Sequence, residues 1–183
     1  MLMLASVVAA LVMPHANVGA EALPKYDERV LPALDLLDSS VATNQLRAVL
    51  ESNRVSIQFA PLPAGVYARY SVGRHAIEID SRWQDADAVT LAAVIAHEAT
   101  HADDAVSGYL SSGGGAACID SEIRAFRTSA LFWLDMYGPA GKVEAADDLG
   151  RQMNSIADRQ LHDPAGLDAV VRHTYSQQCG SQN

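Results

Sequence analysis

The longest apolar stretch with a helical period lies in the middle of the chain. Apolar residues fill almost every position of Thr90-Leu91-Ala92-Ala93-Val94-Ile95-Ala96. They predict a helix over 88–105, with Asp85 or Asp87 as its N-cap and Gly108 beyond its end. A helix so apolar crosses a core rather than lying on a surface.

The flanking patterns differ. Leucines and valines recur at helical spacing over 26–37 and 42–50, with Pro32 limiting the first segment. Runs over 55–59, 66–70 and 76–79 alternate apolar and polar residues, separated by Pro61-Leu62-Pro63-Ala64-Gly65 and Gly73-Arg74. These predict a small antiparallel sheet with one buried face. Downstream, Ser111-Ser112-Gly113-Gly114-Gly115 reads as a turn. It precedes a helix over 119–137 that Gly138-Pro139 stops, and further helices follow over 142–161 and 164–177. The expected fold class is α+β: a small antiparallel sheet, the central helix, then C-terminal helices. No repeat or linker divides residues 21–183, so a single domain is expected.

Residues 1–20 read differently. An apolar run over 1–13 is followed by Pro14 and by Val18-Gly19-Ala20, a small-residue site of the kind signal peptidase cuts, although no Lys or Arg precedes the run. The run is short of the roughly 20 residues a membrane span requires, and His15 and Asn17 interrupt its extension. The expectation is a signal peptide over 1–20, an exported chain, periplasmic or secreted, and no stable membrane span. Cys118 and Cys179, the only cysteines, can pair in such a compartment, and neither belongs to a Cys-x-x-Cys motif.

Charge narrows the partners. With 13 Lys and Arg against 22 Asp and Glu, the net charge of the 183-residue chain is -9, and only Lys25 and Lys142 are lysines. A nucleic-acid backbone is repelled, and no basic stripe exists to gather one.

The chemistry is concentrated in His97-Glu98-Ala99-Thr100-His101. Imidazoles at i and i+4 fall on one helix face within reach of one metal ion, and the intervening Glu98 can take a proton from metal-activated water. A catalytic zinc site uses three protein ligands, and Glu122 on the next helix supplies the third. Asp120 is the rival ligand, better suited to an N-cap near a helix start. Asp103 and Asp104 continue the first helix and are assigned to solvent or to support of the ligands. The strand over 76–79 is expected to offer a sheet edge to an extended peptide.

His97-Glu98-x-x-His101 with Glu122 resembles the gluzincin group of zinc peptidases over roughly residues 76–137, and looks closer still to small bacterial metallopeptidases of unassigned substrate. The resemblance implies a zincin-like fold, one Zn2+ held by His97, His101 and Glu122, and Glu98 as general base. Many gluzincins carry an aspartate four residues after the ligand glutamate to buttress a histidine. Here that position is Phe126, so support must come from elsewhere, with Asp120 as a candidate. An oxyanion donor is also implied, and His162, His173, Tyr175 and Arg124 are the candidates. The expected function is hydrolysis of a protein or peptide. The alternatives are a metal-binding interaction module, a degenerate enzyme that keeps the site, or a zinc hydrolase acting on a non-peptide amide.

Overall fold

The computed structural model describes residues 25–112, 114–139, 144–145 and 147–180, so the expected signal peptide over 1–20 lies outside the described residues. A 3-10 turn, Glu28–Val30, is capped by the Asp27 carboxylate and runs into helix α1, Leu31–Leu37. Pro32 sits in the first turn of α1, where its missing N–H has no partner to lose, and this places the helix start later than the apolar spacing alone suggests. Helix α2 spans Leu46–Ser52.

The strands are β1 (Ser56–Ala60), β2 (Ala68–Ser71) and β3 (Ala76–Asp80), in the order β1-β3-β2. β2 pairs antiparallel with β3, Tyr70 opposite Ile77, but β1 pairs parallel with β3, Ile57 opposite Ile77 and Phe59 opposite Ile79. The sheet is therefore mixed rather than antiparallel. Strand alternation reports which face is buried, not which neighbour is paired. β3 is also the central strand, so it is not the edge expected to receive a peptide. Tyr26 bridges β1 on its outer side, where Ile57 N–H donates to the Lys25 carbonyl and Asp27 N–H to the Ile57 carbonyl. The sheet edge nearest the chemistry is β2.

Every residue of β3 is buried. Ile77 and Ile79 join Leu91, Val94 and Ile95 in the core. On the opposite face, Glu78 receives Arg69 and Arg74 at 2.7 Å each, and Asp80 receives Arg82 at 2.6 Å, so arginine stems cover the carboxylates.

Helix α3, Ala88–Val106, is fixed at its start by Asp87, whose side chain accepts from Val89 N–H and Thr90 N–H at 3.0 Å. It packs between the first two helices and the sheet on one side and α5 on the other. A single turn, α4 (Tyr109–Ser112), leads to α5 (Gly114–Tyr137), and α6 (Asp148–His162) and α7 (Pro164–Gly180) close the described chain. α5 begins inside the glycine run that reads as a turn in sequence. A Cβ at Gly115 would lie 2.9 Å from the Cys179 carbonyl oxygen, so this glycine serves a close helix approach.

Cys118 and Cys179, 61 residues apart, form a disulfide that ties α5 to α7, a pairing the sequence leaves open. Closing so long a loop contributes about 2–4 kcal/mol by restricting the unfolded chain. No described helix is long and apolar enough to cross a membrane.

Candidate metal centre

The 3.6-residue period of α3 stacks His97 and His101 one turn apart on the face that meets α5, and α5 brings Glu122 to them. The two Nε2 atoms are 3.3 Å apart, and each lies 3.7 Å from Glu122 Oε2. One ligand atom from each of the three residues falls within 4.8 Å of the others, a group able to hold a metal ion. Exposure is 2% for His97, 0% for His101 and 1% for both Glu98 and Glu122, which removes the whole cluster from bulk water.

The donor set fits an ion. Neither carboxylate oxygen of Glu122 accepts a hydrogen bond among the described residues, and the imidazole nitrogens at 3.7 Å are beyond hydrogen-bond reach. A buried carboxylate in that position needs a cationic partner, which a protonated His101 at 3.7 Å or a metal ion can supply. Two imidazole nitrogens and one carboxylate oxygen form a combination that suits zinc.

Electrostatics within the cluster follow from the same proximity. Burial opposes charge on His101, but the adjacent Glu122 carboxylate outweighs it and raises the imidazole to about 9. Burial likewise pushes Glu122 up, and the imidazoles, His101 foremost, overcome it and hold the carboxyl below its ordinary value. A metal at His101 Nε2 must displace a proton that the ion-free site keeps until about pH 9. Zinc affinity is therefore expected to rise about tenfold per pH unit from mildly acidic to neutral conditions. Competition against a chelator of known affinity measures this, and a flat profile would contradict it.

Glu98 extends toward the sheet. Its Oε2 accepts from the backbone N–H of Tyr70 at 2.7 Å, so the middle of β2 holds the carboxylate. Tyr70 is held in turn by its hydroxyl, 2.9 Å from His75 Nδ1, while His75 Nε2 lies 2.5 Å from the Asn53 carbonyl. The main-chain donor on Tyr70 leaves no trace in the sequence.

The remaining candidates separate. Asp120 lies within α5 rather than at its start, so it is not the N-cap, and it is half-exposed and 3.1 Å from Arg172. It neither joins the ligand cluster nor supports it. Asp103 is part-exposed, 3.6 Å from Arg124. Asp104, three residues beyond His101, is fully buried, and its Oδ2 accepts from Ser121 Oγ at 2.6 Å. Ser121 Oγ is also 2.8 Å from His101 Nδ1, a contact that sequence reasoning missed. Its signal was modest: a hydroxyl directly before the ligand glutamate, facing a carboxylate one helical turn after the second histidine. Phe126 takes a packing role, its ring edge-on to His97 with centroids 4.8 Å apart.

Among the candidate oxyanion donors, Tyr175 is buried with its ring against Phe126 at 5.9 Å. Arg124 is ion-paired to Asp104 at 2.5 Å, and His162 and His173 are exposed on α6 and α7.

No family model, curated protein or solved structure matches the chain. The functional reading therefore rests on the geometry of this site and on the motif that predicted it.

Proposed function

We propose that the chain is a zinc-dependent peptidase of the gluzincin type, with His97, His101 and Glu122 holding one Zn2+ and Glu98 as general base. The observation that carries this reading is the convergence of a His-His-Glu donor set with a carboxylate adjacent in sequence to the first ligand. A bound zinc ion would supply Lewis acidity toward water and a scissile carbonyl. Glu98 would take the proton on its carboxylate and then deliver it to the leaving amine. The Tyr70 N–H keeps the carboxylate oriented for that transfer. β2, the edge strand beside Glu98, is the segment along which an extended peptide would add by main-chain hydrogen bonds to groups other than the Tyr70 N–H, which Glu98 occupies. The Cys118–Cys179 disulfide supports an exported protein, since such bonds persist in oxidising compartments.

A second reading draws on a different observation. The cluster and Glu98 are at most 2% exposed, as befits a metal-binding protein in which the ion stabilises the fold and no substrate arrives. Incubation with a mixed peptide library, with chelator and with zinc restored, separates the two. A peptidase cleaves, stops with chelator and resumes with zinc. A protein that never cleaves, and whose melting temperature falls steeply when the metal is removed, follows the second reading instead.

A further inference from the structure

The groups behind His101 take a direction from an ionised Asp104, the form that Arg124 beside it favours. Four groups form a chain across the α3–α5 interface: Arg124 Nη1 lies 2.5 Å from Asp104 Oδ1, Ser121 Oγ 2.6 Å from Asp104 Oδ2, and His101 Nδ1 2.8 Å from Ser121 Oγ. The chain runs from a half-exposed guanidinium to a histidine with no exposure at all. A serine hydroxyl has one proton to give, and an ionised Asp104 can only accept. Ser121 therefore donates to Asp104 and must accept from His101, which places a proton on Nδ1. Nε2, the nitrogen facing His97 and Glu122, becomes the nitrogen available to a metal.

We propose that Asp104, acting through the Ser121 hydroxyl and anchored by Arg124, is the positioning residue that sets which nitrogen of His101 binds metal. It thereby replaces the buttress that Phe126 cannot provide. The proposal rests on the metal-centre reading above and is independent of whether the site hydrolyses peptides.

The two carboxylate oxygens have different partners, and this makes Asp104→Asn a sharper test than simple deletion. Arg124 carries donors only, so an amide at this position turns its oxygen toward Arg124 and its NH2 toward Ser121. Ser121 then receives a hydrogen bond and must aim its own proton at His101 Nδ1. The polarity of the chain reverses, the imidazole proton moves to Nε2, and the metal-facing nitrogen loses its lone pair. Ser121→Ala removes the relay without reversing it. Removing the anchor, in the double variant Asp104→Asn with Arg124→Ala, frees the amide to turn its oxygen back to Ser121.

The measurement is zinc affinity by chelator competition on the full chain, together with 15N chemical shifts of His101 in the metal-free protein at alkaline pH, where the imidazole is neutral and its tautomer can be read. Circular dichroism of the metal-free forms serves as the folding control. Ser121→Ala is expected to weaken zinc binding about 10- to 100-fold, the usual effect of losing a ligand's hydrogen-bond partner. Asp104→Asn should weaken it at least as much and shift the His101 nitrogens away from the Nδ1–H form, and the double variant should recover part of the loss. Parental affinity and an unchanged Nδ1–H form in Asp104→Asn and Ser121→Ala would overturn the relay and leave the metal centre standing. Failure of the double variant to bind tighter than Asp104→Asn alone would overturn the role of Arg124 as anchor. A parent chain that binds no zinc would overturn the metal centre and the relay together.

Discussion

Replacing Glu98 by Gln is expected to lower the rate of peptide cleavage by about 10²–10⁴-fold while zinc stays bound, because general-base transfer is lost and no ligand is. Gln matches Glu in shape, and its amide oxygen can still accept the Tyr70 N–H that holds Glu98 at 2.7 Å, so the side chain keeps its place beside β2. What it loses is the ability to take a proton. The two effects separate in a paired measurement of turnover and zinc content on the same sample. Cleavage at the parental rate would remove Glu98 from the chemistry, and loss of zinc would show that the carboxylate belongs to the ligand set.

The second large effect is expected at Glu122. Changing it to Ala should weaken zinc binding by more than about 100-fold, beyond what the loss of a ligand's supporting partner costs, because one of three protein donors disappears from a buried site. The fold should persist, since the substitution also removes a buried carboxylate whose oxygens accept no hydrogen bond in the ion-free site. Asp120→Ala is the matched control on the same helix. Its partner is Arg172 at 3.1 Å on a half-exposed surface, an ion pair of about 0–1 kcal/mol, and zinc affinity should match the parent. Isothermal titration of the two variants decides the third ligand, and the reverse pattern would shift it from Glu122 to Asp120.

The centre of this molecule was legible because its determinants are local. The apolar run from Thr90 to Ala96, the Asp87 cap and the i, i+4 histidines all act within one helix, and α3 runs from Ala88 to Val106 much as its pattern dictates. Glu122 was legible through chemistry, since two histidines and a base ask for a third donor from a nearby element. What escaped depends on contacts distant in sequence. Nothing in the alternation of β1 says that it pairs with β3 rather than β2. The burial of Glu78 depends on Arg69 and Arg74 folding over it, so a residue that reads as solvent-facing belongs to the interior. Gly115 carries the signature of a turn, yet it lies within α5, where the Cys179 carbonyl leaves no room for a side chain. Asp120 and Asp104 both stood as candidates to support His101, and what the sequence does not reveal is that Asp104 reaches it only through Ser121 from the opposing helix.

Metal content of the purified chain tests the central claim most directly. Elemental analysis after gentle purification should find about one zinc ion per chain, matching the one such set among the described residues, His97, His101 and Glu122. A chain that retained no divalent metal, and bound none when zinc was added back, would contradict it.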